Sequence, residues 1–110
     1  MNRLPMSAAA TALLRAFLDR ASLTCDRILL THYRSTDWQS LTFVGERHEL
    51  TFRLVGPDAE TIYARLTDGL ADAEFTFPRQ LVADIVVPSE PVREADGSLS
   101  FAIEALTIES

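Results

Sequence analysis

Apolar residues at the start of the chain recur with the period of an α-helix. Over residues 7–22 they fall on one stripe, whereas the charged positions lie off it. Ser7 precedes this stripe and suits an N-cap. The pattern predicts an amphipathic first helix whose buried stripe consists of Leu13, Leu14, Phe17, Leu18 and Ala21.

The next stretch changes to the alternation of β-strands. Residues 25–35 predict a strand with apolar residues on both faces, and Thr36-Asp37 a turn. Residues 38–56 predict a hairpin about Gly45 and Glu46, because glycine suits the first position of a type II′ turn. That register pairs Phe43 with His48, Leu41 with Leu50 and Trp38 with Arg53. The expected core face is Phe43, His48, Leu41, Leu50 and Phe52, and the expected outer face is Thr42, Glu49, Ser40, Thr51, Trp38 and Arg53.

The second half of the chain predicts one helix and further strands. Pro57 favours a helix start and Gly69 a helix end. Strands are expected at 73–77, 80–88 and 98–109, with Asp96-Gly97 as a hairpin turn. A plain hairpin there would put the two alternating apolar sets on opposite faces. We therefore expect a β-bulge within residues 88–91.

These elements predict one α+β domain over residues 1–110. It is a two-layer sandwich of two helices on a mainly antiparallel sheet of five to six strands, in the order α-β-β-β-α-β-β-β. The sheet face away from the helices is also partly apolar, which favours a homodimer. The competing cover for that face is the N-terminal helix. The dimer-interface candidates are Val82, Val86, Leu106 and Ile108.

Charge and composition restrict the partners. The net charge is −6, and all ten basic residues are arginine. Residues 1–53 carry seven arginines against five acids, and residues 54–110 three against eleven. Such an acidic half argues against nucleic-acid binding. The asymmetry is typical of solvated acidic faces, and association between copies of the chain is the alternative. No apolar run is long enough to span a membrane, no clean signal peptide is present and Cys25 is the only cysteine, so we expect a cytoplasmic protein.

No catalytic or metal-binding motif occurs in the sequence. We expect no cofactor, no metal site and no catalytic role for Cys25, whose neighbour Asp26 would raise the pKa of a thiol. The ligand-binding candidates are His32 and His48, as histidines near a pocket, and Trp38 with Arg53, as a cation–π pair that fits an anionic or aromatic ligand. The structural alternative is that the histidines cover the rim of the core and that the pair locks the open end of the hairpin.

Three functions follow from these features. The first is a non-enzymatic dimeric module that binds a protein or a small ligand. The second is a small enzyme, of hydrolase or isomerase type, with a pocket near His32 and His48. The third is an accessory subunit of a hetero-complex.

Overall fold

The computed structural model describes residues 6–21 and 27–109. It confirms an α+β fold with two helices and a five-stranded antiparallel sheet. The elements are α1 (Ala8–Ala21), β1 (Ile28–Gln39), β2 (Val44–Leu54), α2 (Ala59–Thr67), a short 3₁₀ helix (Leu70–Asp72), β3 (Gln80–Val86), β4 (Val92–Arg93) and β5 (Leu99–Glu109).

Both helices begin and end near the positions that the sequence predicts. The Ala10 N–H donates to the Ser7 hydroxyl at 3.1 Å, which caps α1. Gly69 follows α2 with a left-handed φ of 68°. Arg20 ties the two helices together, because its Nε donates to the Leu66 carbonyl at 2.9 Å and its Nη2 to the Asp68 carbonyl. The end of α2 is thereby capped by a side chain of α1.

The strand order is β1-β2-β5-β3, and β4 continues the line of β3 beside β5. Both helices pack on one face of this sheet. The ring of Phe17 in α1 lies 6.4 Å from that of Phe52 in β2, and Tyr63 in α2 lies 4.9 Å from Phe101 in β5. The N-terminal helix therefore does not cover the other face. No helix in the described ranges is long and apolar enough to cross a membrane.

The predicted turn at Gly45-Glu46 is wrong. β1 runs through Thr36 and Asp37 to Gln39, and the chain reverses over residues 40–43. The Ser40 hydroxyl accepts from the Phe43 N–H at 3.1 Å and so replaces a glycine turn. The segment predicted as three strands therefore forms two long ones. The sequence predicts Leu41 and Phe43 in the core, but both are exposed at the hairpin tip.

The predicted strand at 73–77 forms only one isolated bridge, between Phe77 and Gln80. The turn between β4 and β5 is one residue longer than the two-residue turn that the sequence predicts, and this extra residue aligns the two strands. The Ser98 carbonyl accepts from the Glu94 N–H across the turn, and Gly97 within it adopts a φ of 87°. Residues 87–91 add two residues rather than one, since Val86 pairs with Glu104 and Val92 with Ser100. The pairing is therefore interrupted at 88–91, but by two extra residues that leave the faces unchanged and not by the single-residue bulge expected there.

Candidate functional site

The sheet has one face under the helices and one face without a cover among the described residues. On β5, Leu99, Phe101, Ile103, Ala105 and Thr107 are buried under the helices, and the alternate residues are half-buried. The pairing of strands extends this division across the sheet. We call the uncovered side the open face. Its central positions are Gly45, Arg47, Glu49, Thr51 and Arg53 on β2, and Ser100, Ala102, Glu104, Leu106 and Ile108 on β5.

Two register shifts decide which residues of the outer strands reach the open face. In β3 the shift lies between Val82 and Asp84. Val82 consequently pairs with the buried Thr107 and packs against the core, so its assignment to the interface is wrong. Leu81 pairs with Ile108 on the open face and is 53 % exposed.

In β1 the shift lies between Leu30 and His32. Because of it, Tyr33 packs against the core while Leu29 and His32 reach the open face. A regular strand without this shift would place Tyr33 and Leu29 on the same face.

One row of the open face is apolar across all four long strands. Trp38 pairs with Gly45, Gly45 with Ile108, and Ile108 with Leu81. We call these four residues the Trp38 row. Because Gly45 has no side chain, the row is two raised apolar groups separated by a gap. Leu106, next along β5, and the exposed Val86 on β3 extend the apolar surface.

Charged residues occupy the middle of the open face. Arg34 pairs with Glu49, and Glu49 pairs directly with Glu104. Carboxylates opposite each other on neighbouring strands are unfavourable unless a cation joins them. Neither glutamate has a cation within ion-pair distance among the described residues, where the ion pairs are Arg27–Asp58 and Arg93–Glu60. We call Glu49 and Glu104 the carboxylate pair.

The row on the other side of the carboxylate pair holds one imidazole and two small side chains. His32 pairs with Thr51, and Thr51 with Ala102. We call these three residues the His32 row. It lies beyond the carboxylate pair from the Trp38 row, and Leu29, Arg53 and Ser100 form the next row beyond it.

The four predicted ligand-binding residues do not converge. His32, Trp38 and Arg53 lie on the open face, whereas His48 is fully buried beneath the helices. Trp38 pairs with Gly45, eight residues along β2 from Arg53, or about 27 Å. The predicted Trp38–Arg53 cation–π pair is therefore wrong. The two histidines lie on opposite faces and do not share the pocket that the enzymatic alternative requires.

His48 instead joins three strands beneath the helices. Its Nδ1 lies 2.8 Å from the Ser35 hydroxyl of β1, and its Nε2 lies 2.9 Å from the Thr107 hydroxyl of β5. Burial lowers the pKa of His48 below its usual value of 6.5, and nearby Glu46 opposes this shift. A neutral imidazole with both nitrogens bonded to hydroxyls is a satisfied core group.

Other chemistry is sparse in the part of the chain that the structure describes. No three His, Cys, Asp or Glu side chains within it come together as a metal site, and Cys25 lies outside the described residues. A cleft of about 420 Å³ is lined by residues of the α2 start and the β4–β5 turn. Arg93 in this cleft is already bonded to Glu60 and to the Gly97 carbonyl.

The sequence analysis did not assign Leu81 or Arg47 to the open face. It also did not predict that Glu49 pairs with Glu104. No local signal marks the bulge that moves Leu81. The two glutamates could be found only from the β2–β5 register, because they lie 55 positions apart in the sequence.

Comparison of the chain with protein-family models, with curated proteins and with solved structures finds no match. The open face is therefore the feature from which a function can be inferred.

Proposed function

We propose that the protein is a non-enzymatic interaction module that works as a homodimer through the open face. The observation that carries this proposal is the Trp38 row, an apolar row across four strands that neither helix covers. Antiparallel sheets can leave one face in water, but such a face is usually polar. A contiguous apolar surface marks an interaction site.

The size of the open face fits this role. Three strands of about ten paired residues and the seven residues of β3 cover roughly 600 Å² before side-chain relief is counted. A standard interface buries about 800 Å² on each partner. The open face as a whole, rather than one corner of it, would be needed.

The interleaved charges support a protein partner over a lipid or a nucleic acid. Arg34, Arg47 and Arg53 alternate with glutamates, so the face offers no continuous basic surface for phosphate groups. A single thiol in the sequence fits a reducing compartment, and we place the dimer in the cytoplasm on that basis.

Sedimentation equilibrium of the wild-type chain and of Leu106→Glu tests the proposal. We expect the wild type to have twice the 12.2 kDa chain mass. Leu106 lies in the middle of the face, so a buried glutamate there should weaken association at least about 100-fold. Thr61→Glu on the exposed side of α2 carries the same new charge and should leave the dimer intact.

A wild-type chain that remains monomeric at high concentration would refute the homodimer. It would instead favour the accessory-subunit alternative, in which a different protein covers the open face.

A further inference from the structure

The charges of the open face indicate how two copies would meet. This inference rests on the proposed homodimer and adds the orientation of its two subunits. Arg47 and Glu49 lie two residues apart on β2 and point to the same face, about 7 Å from each other. Glu104 lies beside Glu49 on β5.

We propose that Arg47 of each copy enters the carboxylate pair, Glu49 and Glu104, of the other. A two-fold axis that crosses the strands between residues 47 and 49 would achieve this. It lies in the plane of the interface and reverses the strand direction, so residue 47 of one copy comes to lie over residue 49 of its partner. One guanidinium then bridges two carboxylates, and the arrangement occurs twice because the interface is self-complementary.

The same axis matches the relief of the face. It carries the Trp38 row of one copy onto the His32 row of the other. Ile108 then lies over Ala102 of the second copy, and Trp38 lies over His32. Ile108 thus meets a small side chain, which is the close fit that a packed interface needs, and the indole of Trp38 meets the imidazole of His32.

The alternative axis, parallel to the strands, is disfavoured by charge. It would run between β2 and β5 and place Glu49 of one copy over Glu104 of the other. Four carboxylates would then converge in the middle of the interface, with no arginine between them. Like charges placed in this way exclude a docking mode as effectively as steric clashes do.

Glu49→Arg alone tests this orientation. It should weaken the dimer because it places an arginine over Arg47 of the partner, whereas the alternative axis would place it over Glu104 and strengthen the dimer. A charge exchange between two further variants adds a test of the contact itself. In a homodimer of Arg47→Glu, three acidic residues of one copy would face three acidic residues of the other. In a homodimer of the double variant Glu49→Arg with Glu104→Arg, three arginines of one copy would face three arginines of the other. Each variant alone should lose dimer affinity at least about 100-fold relative to the wild type. An equimolar mixture should form a heterodimer. In it, the acid introduced at position 47 of one chain faces two arginines, and the unchanged Arg47 of the other chain faces two glutamates.

The controls separate failure of this inference from failure of the proposed function. Arg15→Glu, on the exposed surface of α1, makes the same charge change and should leave the dimer unaffected. Far-UV circular dichroism and urea unfolding establish that each variant is folded, and the milder Arg47→Gln should weaken the dimer in the same direction.

Native mass spectrometry of each sample and of the mixture gives the readout. Variants that remain homodimers, or folded variants whose mixture remains monomeric, would overturn the orientation while leaving the homodimer in place. A monomeric wild type would instead refute the homodimer itself.

Discussion

Gly45 lies against the backbone of Thr107. A Cβ atom on Gly45 would fall 1.9 Å from the Thr107 carbonyl oxygen and 2.9 Å from the Ile108 Cα atom. Both atoms belong to the backbone of the central strand, so neither can move aside as a flexible side chain could. Glycine is required here because two strands approach closely, not because the chain turns.

Gly45→Ala should therefore be strongly destabilising. We expect the free energy of unfolding to fall by at least about 3 kcal/mol in urea denaturation, because the sheet must separate locally. The measurement uses the Leu106→Glu background, so that dissociation of a dimer does not contribute. Gly97→Ala is the comparison, since nothing lies within 4 Å of its Cβ position and only its φ of 87° opposes the change. It should lose about 1 to 2 kcal/mol. Equal losses would contradict this explanation.

The hairpin tip offers a second contrast. Leu41 is fully exposed at 104 %, whereas Leu50 is 1 % exposed. Leu41→Ser should change the free energy of unfolding by less than about 0.5 kcal/mol. Leu50→Ala should lower it by about 2 to 5 kcal/mol. A large fall in the free energy of unfolding of Leu41→Ser would contradict this hairpin and would favour the turn at Gly45 that the sequence predicts.

Arg20 links the helices through two carbonyls at the end of α2. Arg20→Met keeps most of the apolar stem and removes both hydrogen bonds, so thermal unfolding should show a loss of about 1 to 2 kcal/mol. Arg15→Met, at an exposed position of the same helix, should stay within about 0.5 kcal/mol of the parent. If the two variants unfold alike, Arg20 does not cap α2.

His48 predicts a pH dependence of stability. Burial lowers its folded-state pKa below 6.5, so the unfolded chain binds a proton more readily. The free energy of unfolding is therefore not reduced by His48 above pH 6.5. It falls as the pH decreases from 6.5 towards the folded-state pKa. The slope is at most about 1.4 kcal/mol per pH unit.

The comparison is between His48→Gln and its parent, both in the Leu106→Glu background. Urea unfolding at a series of pH values should show a shallower decline for the variant below pH 6.5, together with a lower stability at neutral pH from the altered Ser35 and Thr107 bonds. Parallel pH curves would mean that His48 does not titrate differently in the folded state.

The periodic parts of the sequence predicted the fold well. Leu13, Phe17 and Ala21 repeat at helical spacing, and β5 alternates from Leu99 to Thr107, so both elements and their buried faces were correct. The local pattern determines these features because, in a regular helix or strand, the spacing between residues fixes which side chains lie on the same face.

The errors arise where one residue interrupts that rule. The register shifts near Leu30 and Val82 reverse which side chains face the helices, and ordinary residues occupy both sites. The real β1–β2 loop contains no glycine, proline or asparagine, while Gly45 two residues later resembles a turn signal. Alternation alone correctly places Val86, Leu106 and Ile108 on the open face, whereas the positions of Leu81 and Val82 depend on the register shift and could not be predicted.

Trp38 permits the most direct test of the dimer, because it is the only tryptophan and lies on the open face. Acrylamide quenching of its fluorescence can be measured from about 0.1 to about 200 µM protein, which covers dissociation constants in the micromolar range. We predict weak quenching at high concentration and stronger quenching on dilution, with no concentration dependence in Leu106→Glu. Strong quenching of the wild type at every concentration would contradict burial of the open face in a homodimer.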